Sequence, residues 1–287
     1  KLTATDVAVS NAKTVATSIS FAAGAVGVGV GVSAALAKND IANTVRAYSD
    51  NSTINSAGNA ELTVTASPSI TALAVAATFS VSASPVGAAL SGAGADSQNS
   101  INNTVEAHIV GGSAPAAGNI SLNAAETGSI TADVGAGALS AGLIGGSIGI
   151  SLATNTISST VRTYVQSTSL TSTQNNISLT AASTDSVTTL AVATSIALGL
   201  GGAGAGATAT STVSPNVEAY AGNASTLNAA GNISINATSS NSATATSYGI
   251  AGGVVGVGTT ISNATANGSV LAHLDGNVAG VYTLTVQ

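Results

Sequence analysis

Hydrophobic positions along this chain alternate with small ones at a period of two. In residues 190–200 every even position is Leu, Val, Thr or Ile, and every odd position is Ala, Ser or Gly. Residues 26–32 alternate Val with Gly in the same way. A period of two is that of a β-strand, whereas glycine at alternate positions would cost a helix about 1 kcal/mol each. The pattern predicts an all-β chain whose long strands have one bulky face and one nearly bare face. Since both faces are apolar, we expect both to be covered, by stacked sheets or by a coil that closes around its own core.

Membrane-spanning helices are one alternative for the apolar stretches. Residues 21–37 carry no charge, and comparable stretches recur in the other units. This stretch is short for a bilayer span, which needs about 20 apolar residues, and the other stretches are interrupted by Ser, Thr and Gly. The period of two therefore favours strands.

A short phrase recurs along the chain: a Val, usually a charged residue, a small residue and an aromatic ring. The valines that open it are 60, 56, 56 and 53 residues apart, at Val45, Val105, Val161, Val217 and Val270. A second phrase, Leu-Thr or a close variant, keeps the same register and usually follows a Gly-Asn or Asn-Asn turn. Self-similarity at a nearly fixed period predicts a repeat architecture, either a β-solenoid or a stack of long β-hairpins.

The repeat divides the chain into five units of about 56–60 residues. They cover residues 1–60, 61–118, 119–175, 176–231 and 232–287, and the last includes the start of a sixth. One Ala-rich unit should not fold alone, because burying a methyl-sized group yields only about 0.8 kcal/mol while fixing one residue's backbone costs about 1–2 kcal/mol. Stability must come from stacking, and neither end looks like a polar cap. We therefore expect both ends to continue into more protein.

Pairs of glycines mark the predicted hairpin tips of the last three units. Tight tips need positive φ angles, which glycine adopts without steric cost. The pairs are Gly145-Gly146, Gly201-Gly202 and Gly252-Gly253.

The residue after the repeated Val alternates in sign from unit to unit. It is Arg46, Glu106, Arg162 and Glu218, and Leu271 ends the series. If the units stack in register, each Arg lies beside a Glu about 4.8 Å away, so the series predicts an inter-unit register ladder. The alternative is four exposed charges on a solvated face, worth at most about 1 kcal/mol per pair.

A ring occupies the last position of the same phrase in every unit. The ring slot holds Tyr48, His108, Tyr164, Tyr220 and His273. Because both histidines of the chain replace Tyr in this slot, we expect half-buried rings and not catalytic or metal-binding groups.

Composition removes several function classes. The chain has no Cys, and 6% of its residues are charged and 2% aromatic. A net charge of −6 with five basic residues argues against nucleic-acid binding, which needs clustered Lys and Arg. The Gly-rich run at residues 199–206 lacks the Lys-Ser/Thr pair of a phosphate-binding loop, and no nucleophile, base and acid occur together. We expect no enzymatic activity and no cofactor, and the scattered acids give little support for calcium binding.

The cycle of Gly-Asn-Ile-Ser-Leu at residues 118–122, an Ala/Val/Gly-rich stretch and Val-Glu-Ala-Tyr at residues 217–220 resembles a known repeat. It is similar to the repeat region of giant bacterial filamentous adhesins, of the leukotoxin and haemagglutinin-like types. That resemblance implies a secreted, surface-displayed β-helical filament or stalk without enzymatic activity. The unit of 56–60 residues departs from the simple haemagglutinin-type repeat, which is roughly a third as long.

Together these features predict a structural, extracellular or cell-surface repeat protein that builds a stiff fibre, stalk or sheath. Its partner would be itself, either as neighbouring repeats of a longer chain or as a homopolymer, through strand edges and small-residue sheet faces. The alternative is an adhesin that binds a cell-surface or matrix ligand through its polar turns, at residues 51–58, 111–118, 167–176 and 222–231. Those turns are uniformly small and polar, which favours the fibre.

Overall fold

The structure, a computed structural model that describes residues 1–287, consists of strands and turns. The all-β prediction is confirmed. No segment is a helix of the length and apolarity that crossing a bilayer requires, so the helical alternative is wrong.

Twenty-three strands form four sheets, and every pairing between strands is parallel. Sheet A contains β1 (Leu2–Asp6), β2 (Val9–Ala22), β5 (Ala60–Ala66), β6 (Ser69–Ser82), β10 (Ile120–Glu126), β11 (Ser129–Ala141), β15 (Ile177–Leu198), β19 (Ile233–Gly252) and β23 (Leu284–Val286). Sheet B contains β3 (Val26–Ile41), β7 (Val86–Ile101), β12 (Ile144–Ile157), β16 (Gly202–Val213) and β20 (Val255–Ala266). Sheet C contains β4 (Thr44–Asp50), β8 (Thr104–Val110), β13 (Thr160–Gln166), β17 (Asn216–Ala221) and β21 (Ser269–Leu274). Sheet D contains β9 (Ser113–Ala116), β14 (Ser169–Ser172), β18 (Thr226–Ala229) and β22 (Asn277–Ala279).

Each unit runs once around an elongated, solenoid-like cross-section. The chain goes out along sheet A, turns at a tip, returns along sheet B, continues into sheet C and passes through sheet D to the next unit. Sheet A packs face to face against both sheet B and sheet C. In unit 4 the outward path is the single strand β15, about 73 Å long at ~3.3 Å per residue, whereas in unit 2 it breaks at Pro68.

Equivalent residues of successive units lie directly beside one another. The repeated valines form one row, from Val45 through Val105, Val161 and Val217 to Val270. The change of period from 60 to 56 residues arises at the tip, because six residues separate Val81 from Ala88 where two separate their partners, Ala141 and Ile144. The repeated Leu-Thr phrase predicts that Leu284 lies beside Ile235. In the structure Leu284 pairs with Ile233 and Val286 pairs with Ile235, a difference of two residues.

Two interiors of different composition lie side by side in each unit. Over all units, the body, enclosed by the first part of sheet A with sheets C and D, holds 28 buried hydrophobic residues that include Leu62, Leu122, Leu179 and Ile235. The blade, enclosed by the long outer part of sheet A and by sheet B, holds 15 buried hydrophobic residues over all units, of which all but Val134 are Ala. A row of Ile and Val, including Ile101 and Ile157, separates the two at the seam.

The bulky side chains of the blade point outward, which corrects the expectation that both faces of its strands are covered. Val28, Val30 and Ile148 are exposed, while the glycines and alanines between them are buried. Small residues are required inside because the two sheets approach closely. A Cβ at Gly149 would lie 2.6 Å from the Thr194 carbonyl oxygen of sheet A, and a Cβ at Gly29 would lie 3.0 Å from that of Val81. The large side chains of these strands therefore lie on the outer surface of the blade.

The two arms of each unit do not form a hydrogen-bonded hairpin, so the stacked-hairpin alternative is wrong in that respect. Long strand β6 pairs with β2 and β11, and return strand β7 pairs with β3 and β12, so that each arm bonds to neighbouring units. The arms of one unit meet only through their side chains. This arrangement is a β-arch.

The tips lie at or next to the predicted glycine pairs, but the pairs do not supply the expected positive φ angles. Gly145 and Gly146 are inside β12, Gly202 begins β16 and Gly252 ends β19, leaving Gly201 and Gly253 in the short connections. None of the six has positive φ, which occurs instead at Gly24 (133°) and Gly199 (115°). Close approach explains the pairs better, because a Cβ at Gly201 would overlap the Gly145 carbonyl and one at Gly145 would lie 2.8 Å from the Leu198 carbonyl oxygen.

Candidate functional site: stacked ladders along the units

The charged residues of the repeated phrase meet two by two on the outer face of sheet C. Arg46 Nε donates a hydrogen bond of 2.7 Å to Glu106 Oε2. Arg162 Nε lies 3.1 Å from Glu218 Oε2, outside hydrogen-bonding geometry. The Arg side chains are about half exposed while Glu106 is largely buried, so these contacts help to hold the register between adjacent units.

The rings of the same phrase form a continuous stack beside the charges. Ring centroids are 5.2, 4.7, 5.1 and 4.8 Å apart along the series Tyr48, His108, Tyr164, Tyr220 and His273. Interplanar angles of 5–18° make every contact a stacked one. The spacing is that of parallel strands, so the backbone imposes the stack and the offset rings add dispersion between units.

The two histidines sit differently within the stack. His108 is nearly buried, and its burial lowers the pKa of the ring although Asp50 and Glu106 are close by. His108 Nδ1 has no hydrogen-bond partner, and Nε2 is 3.6 Å from Asp50 Oδ1. His273, in the last unit, contacts Asp275 Oδ2 at 2.9 Å and Glu218 Oε1 at 3.5 Å.

An asparagine ladder explains the repeated Gly-Asn and Asn-Asn turns. The backbone N–H of Asn119 donates to Asn59 Oδ1 (2.9 Å), that of Asn176 to Asn119 Oδ1 (3.1 Å) and that of Asn232 to Asn176 Oδ1 (2.7 Å). Each side chain thus binds the turn of the next unit. The polar turns 111–118, 167–176 and 222–231 contain strands of sheet D, so they are ordered edges of the body.

A second ladder of asparagines is buried at the base of the blade, and sequence reasoning did not identify it. Asn39 Nδ2 donates to Asn99 Oδ1 (2.7 Å), Asn99 Nδ2 to Asn155 Oδ1 (2.6 Å) and Asn155 Nδ2 to Thr189 Oγ1 (2.6 Å). The three asparagines have the same place in successive units, 60 and 56 residues apart, which is the signal that could have revealed them.

Two buried carboxyl groups at the seam were also missed. Glu126 Oε1 accepts hydrogen bonds from Asn103 Nδ2 (3.1 Å) and Ser159 Oγ (2.9 Å), whereas Oε2 has no partner. Burial, with Asp185 nearby, raises the pKa of Glu126 to about 7. Burial also raises the pKa of Asp185, although Ser183 and the backbone N–H of Gly128 donate to it.

The side chains of the ladders and the buried carboxyl groups mainly contact one another, through hydrogen bonds, ion pairs and ring stacking. No cluster of three or more His, Asp or Glu side chains is placed to hold a metal ion. Comparison of the chain with family models, with curated proteins and with solved structures finds no match. The geometry of the ladders and of the strand edges is therefore what bears on function.

Proposed function

We propose that this chain is a β-solenoid segment of an extracellular or cell-surface structural fibre, without enzymatic activity, of the kind that bacterial filamentous adhesins build. Its units stack end to end, either within a longer chain or between subunits. The supporting observation is that residues at both ends of the stack are exposed, although their equivalents in the inner units are buried.

Equivalent core residues change from buried to exposed at the two ends. Val217 is 0% exposed, and its register partner Val270 in the last unit is 49% exposed. At the other end, Leu62 is 1% exposed and its partner Leu2 is 43% exposed. One more unit on each side would bury both residues, as the inner units do.

The two ends are also complementary in shape. Each sheet B strand lies across sheet A strands of its own unit and of the next, as Gly149 of unit 3 does across Thr194 of unit 4. The last sheet B strand, β20, has no following unit, so its inner face is exposed at Gly258, the register equivalent of buried Gly149. A further sheet A strand would cover this overhang. Head-to-tail contacts of this kind do not close into a ring when the rotation per unit is small, and they extend into a fibre.

Electron cryo-microscopy of the protein, with diffraction from aligned filaments, tests the proposal. We expect filaments with a reflection near ~4.8 Å along their axis, since the strands run across it. Val270→Glu should abolish the filaments, because the charge would be buried under the next unit. Ile250→Glu, on an exposed outer face, should leave them intact. Discrete particles without the reflection would overturn stacking between subunits and would favour the ligand-binding adhesin as the alternative.

A further inference from the structure

The outer face of sheet B is an apolar surface with alternating ridges and valleys. In one row across the sheet, units 1, 3 and 5 carry the bulky, exposed Val32, Ile148 and Val257. In units 2 and 4 the same row holds Gly92 and Gly204. The next row repeats the alternation in units 2 to 4, with Gly94, Ile150 and Gly206.

The valleys are open space. A Cβ at Gly94 or Gly204 would meet no atom within 4 Å, and one at Gly92 would meet only a Val32 methyl group at 4.0 Å. A groove of about 590 Å³ crosses this surface along the stack, with Leu90 and Ile148 among its walls. In the row of Val32 the ridges recur every second strand, or about 9.6 Å. The row of Val30 differs, with large side chains in units 1, 2 and 5 and Leu90 as the one in unit 2.

We propose that this face binds the same face of a second copy of the chain. The two stacks lie antiparallel, related by a two-fold axis parallel to the strands and passing between units 2 and 3. Unit 1 of one copy then faces unit 4 of the other, and unit 2 faces unit 3. This contact is lateral, so it goes beyond the end-to-end stacking proposed above.

The two-fold axis places large side chains over glycines in successive rows. Within one row, Val32 of one copy faces Gly204 of the second copy, and Ile148 faces Gly92. In the adjacent rows Val30 faces Gly202, and Ile150 faces Gly94. Each contact occurs twice by symmetry. An axis parallel to the stack would instead place each unit opposite the same unit, so that in the row on the axis Ile148 would meet Ile148 and Gly204 would meet Gly204; in this row shape favours the antiparallel arrangement.

Area and charge support a second copy as the occupant. The facing region covers four strands and residues 26–36 of β3, about 19 Å by 33 Å, which buries roughly 1,200 Å² over the two copies and reaches the range of specific interfaces. The charged groups of sheet B lie toward the body, at Lys38, at Asp40 and at Asp96, which is in the last row of the region beside Leu36 and accepts a 3.0 Å hydrogen bond from Gln98 Nε2. Only another stack of β-strands has ridges at the same two-strand spacing.

Sedimentation velocity over a concentration series tests this pairing in the full chain. All variants carry Val270→Glu so that end-to-end stacking is suppressed and only lateral association is measured. We expect a dimer whose dissociation constant rises at least about tenfold with Ile148→Lys, as for a central interface residue. Ile250→Lys, equally exposed on the opposite sheet A face, should leave the constant unchanged.

A size exchange separates pairing from folding. Gly204→Val fills a valley without a clash in its own copy, so it should fold normally, as judged by circular dichroism and thermal unfolding, and still weaken the dimer about tenfold. Adding Val32→Gly should restore the dissociation constant to within about threefold, because the two positions face each other across the axis.

Several results would overturn the pairing. A monomer at all concentrations would do so, whether or not it binds vesicles of neutral phosphatidylcholine. Equal loss of association with Ile148→Lys and Ile250→Lys would also contradict it. The effect of Val270→Glu on filaments tests the proposed fibre and not the lateral pairing. Either proposal can therefore be wrong while the other holds.

Discussion

The body and the blade use the same alternation of side chains with opposite orientation. In unit 3 the large Leu122 of the body is buried, while the large Ile150 of the blade points into solvent. The body interior is bounded by three sheets, which leaves room for Leu and Ile. The blade interior lies between two sheets in near contact, which leaves room mainly for Ala, Gly and Ser. The difference teaches that the distance between sheets, and not hydrophobicity, decides which face of a strand is buried.

Truncating a large side chain should give the largest difference in stability between the body and the blade. Leu122→Ala removes a fully buried side chain and leaves a cavity, so we expect the free energy of unfolding to fall by about 3 kcal/mol. Ile150→Ala removes an exposed side chain, and with Val270→Glu and low protein concentration to keep the chain monomeric we expect a change within about 0.5 kcal/mol. Urea unfolding followed by circular dichroism gives both values. Equal losses would show that the blade's outer face is covered within one copy.

The seam between body and blade should make stability depend on pH. The folded-state pKa of Glu126 is about 7, against 4.5 for the free side chain, so the folded chain keeps this proton where the unfolded chain loses it. The free energy of unfolding should therefore fall as pH rises from 4.5 to 7, by about 3 kcal/mol at most. The raised pKa of Asp185 adds to the slope in the same direction.

Glu126→Gln isolates this contribution. The amide cannot ionise, so urea unfolding between pH 4.5 and 8 should show a flatter profile and greater stability than the unchanged chain above pH 7. Identical profiles for the two proteins would contradict the assignment to Glu126.

Adding one methyl group distinguishes the inside of the blade from its outside. Gly149→Ala places a Cβ 2.6 Å from a backbone oxygen, so we expect a loss of about 1–3 kcal/mol from overpacking. Gly137→Ala points into open space, with no atom within 4 Å, and should stabilise the chain by about 0.4–1 kcal/mol through the unfolded state. The same sign for both variants would refute the close approach of the sheets.

Removing a charge from the body surface should have the smallest effect. Arg46→Ala breaks a partly exposed contact and should cost up to about 1 kcal/mol, less at 1 M salt. Lys1→Ala breaks the more exposed pair with Glu61, and we expect a change too small to measure. Urea unfolding at low and high ionic strength measures the loss of stability in both variants. A loss at Arg46 that does not depend on salt would indicate packing of the aliphatic part of its side chain.

The sequence was sufficient to predict the strands and most of the register between repeats, because these depend on periodicity. A period of two identifies strands, and the spacing of Val45, Val105 and Val161 identifies equivalent positions. It was not sufficient to predict orientation. A strand that alternates Val with Gly looks the same whether Val or Gly faces inward, and only the separation of the sheets decides.

Features held by backbone geometry were also beyond sequence reasoning. The corner after each sheet C strand has positive φ in four units, at Asn51, Gly111, Ser167 and Ala224. Gly111 and Asn51 signal this conformation by their residue types. The stack imposes the corner on Ser167 and Ala224, because the neighbouring units determine where the chain must turn.

The parallel pairing of units has a mechanical consequence. Hydrogen bonds between units run along the stack. Tension on the ends of the stack is therefore shared by all the hydrogen bonds between two adjacent units, which form one boundary. Successive boundaries carry the same tension, one after another. The weakest boundary therefore yields first, and the short β23 has only three paired residues on β19. The covalent chain continues through every boundary, so opening one unit releases 53–60 residues, about 180–200 Å of slack at ~3.4 Å per residue. A stack of this kind lengthens under load one unit at a time before it breaks.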